Sequence, residues 1–177
     1  MRDIFCDVEV LQNFDQENQT MILKEEENNQ SITIGGIPDD AVLLKLDVAK
    51  QGYKQKSQYL RRGTTFIHKG CDYCLILPTL NLIILFELKS LKPKVKNYVD
   101  QFVASEIFIN YCKNLHDYTS KSHSAFTYKR ILLSEKYNYG NTTNSVKDIS
   151  KTDNYGNSIN IITPGFPARI RLEKLIL

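Results

Sequence analysis

The chain has 177 residues and lacks several features that would define its class. Its longest apolar run, Leu82 to Phe86, falls far short of the roughly 20 residues that span a bilayer, so no membrane partner is expected. No signal-peptide pattern is visible, and a cytoplasmic setting is the expectation. Only four cysteines occur. A chain of this length can bury a core without disulfides, so they are expected as free, partly buried thiols in a reducing compartment. No Gly-rich phosphate loop is present, so an ATP-driven activity needs a partner chain such as an ATPase or sensor subunit. Internal repeats are absent too, and the length suits one domain spanning residues 1–177.

Charge is present in both signs but unevenly placed. Residues 1–40 hold ten acids and two bases, whereas residues 41–96 hold eleven bases and three acids. The basic middle includes Lys54, Lys56, Arg61, Arg62 and Lys69, followed further on by Lys92, Lys94 and Lys96. A basic stretch of this kind suits a polyphosphate backbone, which it would hold without reading sequence. The acidic first forty residues read either as an extension that folds back on the basic groove or as strands.

Between those basic groups lies Lys69 to Ser90, KGCDYCLILPTLNLIILFELKS. Two apolar runs separated by Pro78-Thr79-Leu80-Asn81 predict a buried β-hairpin. With that turn, Leu77 faces Leu82 and, counting outward, Asp72 faces Glu87. Directly opposed residues hold their Cβ atoms about 5 Å apart on one face. The period of two puts Lys89 on the same face. Two opposed carboxylates repel each other, and a divalent metal between them removes the objection.

These residues resemble the PD-(D/E)XK, or restriction-endonuclease-like, nuclease superfamily. Its signature is an acid at the start of one core strand, a short hairpin, and Glu-x-Lys at the end of the next. One Glu-x-Lys is about what chance supplies in this composition, so the weight lies in its strand context. The resemblance implies an α/β fold with a three-layer core, a mixed central sheet flanked by helices. It implies a Mg²⁺- or Mn²⁺-dependent nuclease acting on nucleic acid, DNA more than RNA, in bacterial defence or a mobile element. Asp72, Glu87 and the backbone carbonyl of Leu88 would hold the metal, and Lys89 would act on the attacking water. A homodimer lies within the same expectation. The alternative from another class is a catalytically silent subunit that binds nucleic acid or protein.

Downstream, Lys94 to about His116 predicts an amphipathic helix, with Ala104, Phe108, Tyr111 and Leu115 widened by Val99, Phe102, Val103 and Ile107. Gln101 falls on its expected sheet-facing side, and related nucleases often carry a Gln there, reaching toward the metal. Such families commonly place Tyr four residues later, where this chain has Ser105.

Further strands are expected at Val42 to Val48, Tyr128 to Leu133, Ile161–Ile162 and Arg169 to Leu177, and an N-terminal pair at Ile4 to Leu11 and Thr20 to Glu25. Residues 138–160 read as a polar surface loop or hairpin insertion. Cys71 and Cys74, with His68, Cys112 and His116, have spacings that occur in zinc sites. Residues three apart in one strand point to opposite faces, which favours free thiols.

Overall fold

The computed structural model describes residues 4–5, 10–25, 30–48, 68–89, 95–134, 149–152, 158–162 and 168–176. Its centre is a hairpin of β5 (Tyr73–Leu77) and β6 (Leu82–Lys89), apolar on both faces because both are covered. Pro78–Leu80 forms a 3-10 turn, closed by Asn81 in the left-handed region (φ 48°) with its N–H donating to the Pro78 carbonyl at 3.0 Å. Asparagine tolerates that conformation better than most residues, so the turn holds a fixed register.

Around the hairpin lies a seven-stranded mixed sheet in the order β1 (Leu11–Gln12), β4 (Val42–Lys45), β5, β6, β7 (Thr127–Ser134), β9 (Ser158–Ile162), β8 (Ile149–Thr152). Pairing is antiparallel from β1 through β6, parallel from β6 to β7 and β9, and antiparallel again for β8. A parallel neighbour needs a crossover, and α1 (Val95–Ser120) supplies it between β6 and β7. β8 and the start of β9 fall within the segment read as a loop or hairpin insertion; they form an antiparallel pair on the sheet edge.

Among the described residues the one long helix, α1, covers one face. Tyr98, Val99, Phe102 and Ile109 of α1 pack with Cys74, Ile76, Ile83, Leu85 and Leu132 of the sheet. The opposite face is covered by a second sheet, in the order β10 (Ala168–Arg171), β3 (Gln30–Gly35), β2 (Thr20–Glu25). Its Met21, Leu23, Ile32, Ile34 and Ile170 pack on Leu75, Ile84, Phe86, Leu88, Ile131 and Leu133. β3 alternates apolar and polar residues, and β2 alternates buried and exposed ones with Ile22 turned outward, which suits a sheet with one face buried. The architecture is α/β, with helix, mixed sheet and small sheet as its three layers.

Several expectations are corrected. β2 pairs with β3 rather than with the N-terminal strand, and β1 is two residues long and pairs with β4. β2 and β3 belong to the core, so residues 20–25 and 30–35 are no detachable acidic extension. The C-terminal segment turns after β10 into a short helix, α2 (Glu173–Ile176), with Leu175 buried. On α1 the sheet-facing stripe is Tyr98, Phe102, Ser105, Ile109 and Cys112; Ile107, Tyr111 and Leu115 are exposed. Among the described residues no helix is long and apolar enough to cross a membrane.

Deletion of residues 1–40 should therefore abolish cooperative unfolding, because it strips one layer from the central sheet. The milder change Leu23→Ala, at a fully buried position, should cost about 2–5 kcal/mol. Urea denaturation of the variant and a thermal melt of the truncation check both; a folded truncation would contradict the layer assignment.

Candidate active site at the open end of the central hairpin

The register of β5 and β6 runs from Leu77 opposite Leu82 to Tyr73 opposite Phe86. One step further sets Asp72 beside Glu87, at the bend where the chain enters β5. Asp72 is anchored on both sides. Its Oδ2 accepts the Leu88 N–H at 2.6 Å, and its carbonyl accepts the Leu46 N–H at 2.8 Å. Glu87 alternates with Phe86 and Leu88, which face the small sheet, and so points toward α1 as Ile83 and Leu85 do. Lys89 shares that face, and its Nζ lies 2.6 Å from Glu87 Oε1.

Two residues of α1 close the site from above. Gln101 Nε2 donates to the Gly70 carbonyl at 3.1 Å, and buried Ser105 accepts the Cys71 N–H through Oγ at 2.8 Å. Together they clamp the segment leading into Asp72. Tyr73 ties in the small sheet, its hydroxyl donating to the Lys24 carbonyl (3.0 Å) and accepting the Lys24 N–H (3.2 Å). Glu25, next in β2, is thereby brought close enough to act electrostatically on Asp72 and Lys89.

Burial sets the charge state. Glu87 is wholly inaccessible, and neither carboxyl oxygen accepts a hydrogen bond of sound geometry among the described residues. That burial, with Asp72 nearby, pushes its pKa to about 8, against the partial pull of Lys89 and Gln101. Asp72 is raised to about 6, again by burial, while the Leu88 N–H and Lys89 restrain it and Asp47 and Glu25 add to it. Burial works against the Lys89 ammonium, but Glu87 and Asp72 outweigh it and the net shift is upward. Burial thus favours the protonated form at both carboxyls, more strongly at Glu87 than at Asp72, while Lys89 is held in its charged form by the acids beside it.

Ser134 joins this group from β7. It stands opposite Lys89 in the parallel register, on the same face by alternation with Leu133, and is fully buried. Its hydroxyl has no hydrogen-bond partner among the described residues. Sequence reasoning missed Ser134, Glu25 and Asp47, since none belongs to a motif, and noted Ser105 only as a departure from the family pattern; the strand register and the helix face bring them to the site.

The expected basic groups are mostly not placed. Lys54, Lys56, Arg61, Arg62, Lys92 and Lys94 lie outside the described residues, and so does the side chain of Lys96 in α1. Lys69 is placed, with Nζ 3.3 Å from Asp100 Oδ2. Cys71 precedes β5 rather than lying in it, and the bend at Asp72 brings Cys71 into the same core layer as Cys74. This corrects the expectation of opposite faces. Both thiols are buried and free, and burial raises both above the ordinary thiol range.

Among the described residues no group of three or more His, Cys, Asp or Glu side chains is placed to hold a metal. What the site offers is two carboxyls, Asp72 and Glu87, to which the resemblance would add the Leu88 carbonyl. Mg²⁺ is commonly bound through one or two carboxylates with water and substrate oxygens completing the shell, so this set fits it. No protein-family model, curated protein or solved structure matches the chain.

Raised carboxyl pKa values mean that the folded state binds protons more tightly than the unfolded state. Their contribution to stability is then greatest at acid pH and is lost as pH rises through about 6 for Asp72 and about 8 for Glu87. In chelator, the urea midpoint should fall over that window, and Glu87→Gln should flatten the fall, gaining on the order of 1–3 kcal/mol at its upper end. Ser134→Ala should also stabilise the fold, since a buried unsatisfied hydroxyl costs about 1–3 kcal/mol. Midpoints that do not change with pH, or variants less stable than wild type, would contradict the burial argument.

Proposed function

We propose that this chain is a divalent-metal-dependent nuclease of the restriction-endonuclease-like kind, hydrolysing phosphodiester bonds in DNA. The observation that carries the reading is Glu87: a fully buried carboxyl without a sound hydrogen bond, set beside Asp72 and 2.6 Å from Lys89. A purely structural hairpin end would satisfy that carboxyl or replace it, since an unsatisfied buried polar group is costly.

Asp72, Glu87 and the Leu88 carbonyl are the groups that would hold Mg²⁺ or Mn²⁺. A divalent cation there supplies an acidified water and neutralises charge on the phosphate. The remaining functions belong to the chain. Lys89 stays charged, so its ammonium can orient the attacking water and stabilise charge growing on the phosphoryl oxygens. The Leu88 N–H fixes one Asp72 oxygen and leaves the other to turn toward the site. Gln101 and Ser105 hold the entering strand against α1, so the two carboxyls cannot drift apart. A silent binding subunit has no use for two carboxyls buried side by side against a lysine, and the nuclease reading is preferred on that ground.

The test is incubation of the purified protein with linear DNA, circular DNA and RNA, in Mg²⁺, Mn²⁺ or EDTA. Cleavage should require the metal. Asp72→Ala and Glu87→Ala should each lower it at least about a hundredfold while circular dichroism stays native-like. Lys89→Ala should lose most of the rate yet keep Mn²⁺ binding, because the lysine acts on water and phosphate. Metal-independent cleavage, or full activity in both carboxylate variants, would sink the assignment.

A further inference from the structure

Six large apolar side chains are notably exposed among the described residues, and four of them lie on α1: Ile107 (59%), Tyr111 (61%), Leu115 (46%) and Tyr118 (85%). They share the face turned away from the sheet. With half-buried Phe108 they form a seam at positions 108, 111, 115 and 118. A spacing of three and four residues in alternation is that of a coiled-coil seam. Stripes of this size on a helix are seldom left open to water.

We propose that this face of α1 pairs with the same face of a second copy of the chain, the two helices running antiparallel. The spacing three, four, three reads the same in both directions. Reversing one helix about position 113 therefore sets Tyr111 of one copy on Leu115 of the other, and Tyr118 on Phe108. Each large residue meets a large residue, which a two-fold interface requires.

The rim of the seam selects the same occupant. Its charged groups are already matched within the chain: Lys113 Nζ lies 2.7 Å from Asp117 Oδ2, and Glu106 pairs with Arg130. Asn110 receives the Tyr128 hydroxyl at 2.9 Å. Among the described residues a nucleic acid or an anionic lipid surface finds no cluster of free cations here, whereas a second uncharged seam meets no repulsion. The exposed fractions amount to about two and a half large side chains. At roughly 200 Å² each, that is on the order of 500 Å² per copy. Two copies would bury about 1,000 Å², the lower bound for a specific interface, so a weak dimer is expected.

This inference does not rest on the nuclease reading, and a dimer can form whether or not the chain cleaves DNA. Sedimentation velocity on the full chain, from low to several hundred micromolar, should show a reversible monomer–dimer equilibrium that salt barely weakens. Tyr111→Glu and Leu115→Glu should each raise the dissociation constant at least about thirtyfold, with thermal melts close to wild type because both positions are exposed. Tyr118→Ser, at the most exposed position, serves as a gentler variant if a charged one fails to fold, and should weaken the dimer severalfold. A monomer at every concentration, or a dimer indifferent to all three substitutions, would overturn the proposal.

Discussion

The register of the β5–β6 hairpin is the constraint on which the rest depends. With Leu77 opposite Leu82, every second residue of β6 faces α1, and that set ends in Glu87 and Lys89. A slip of one residue would turn Glu87 toward the small sheet, among Phe86 and Leu88 partners with nothing polar to offer. The turn resists such a slip through Asn81, whose N–H closes on Pro78 and whose carbonyl accepts the Thr127 N–H at 2.9 Å. The same small unit therefore sets the strand pairing, seats β7 and aligns two carboxyls with a lysine.

Glu87 and Ser134 are polar groups placed where the packing would favour apolar ones. Their cost is borne by two cores, one on each face of the sheet, whose leucines, isoleucines and aromatics are almost completely buried. Stability and function commonly pull against each other at such positions, because a buried polar atom without a partner costs free energy. The clamps formed by Gln101 and Ser105 belong to the same arrangement. They spend no motif residue on chemistry, yet they keep the entry to β5 fixed relative to α1.

Much of this was legible in the sequence, for reasons tied to particular residues. The hairpin could be read because Pro78 to Asn81 has turn chemistry and both flanks are continuously apolar. β7 could be read from Tyr128 to Leu133 on the same grounds. In the small sheet β2 was legible over Thr20–Glu25 and β10 in part, but β3 was not read, and its pairing with β10 joins segments at opposite ends of the chain. The helix was legible in extent but not in orientation. Val99, Phe102 and Ala104 of the expected stripe are buried, but Ile107, Tyr111 and Leu115 face water while Ser105 and Cys112 face the sheet, so periodicity alone rotated the stripe. The site's three motif residues could be placed by counting along strands. Ser134 and Glu25 join it only through pairing between distant segments, which counting along one hairpin does not supply.

If Asp72 and Glu87 hold a divalent cation, its binding must displace the proton that burial favours on Glu87. Calorimetric titration with Mn²⁺ near neutral pH, in two buffers of different ionisation enthalpy, tests it most directly. The account predicts binding at one site with release of about one proton per cation, and loss of that release in Glu87→Gln. Absence of Mn²⁺ binding, or binding with the same proton count in wild type and Glu87→Gln, would contradict it.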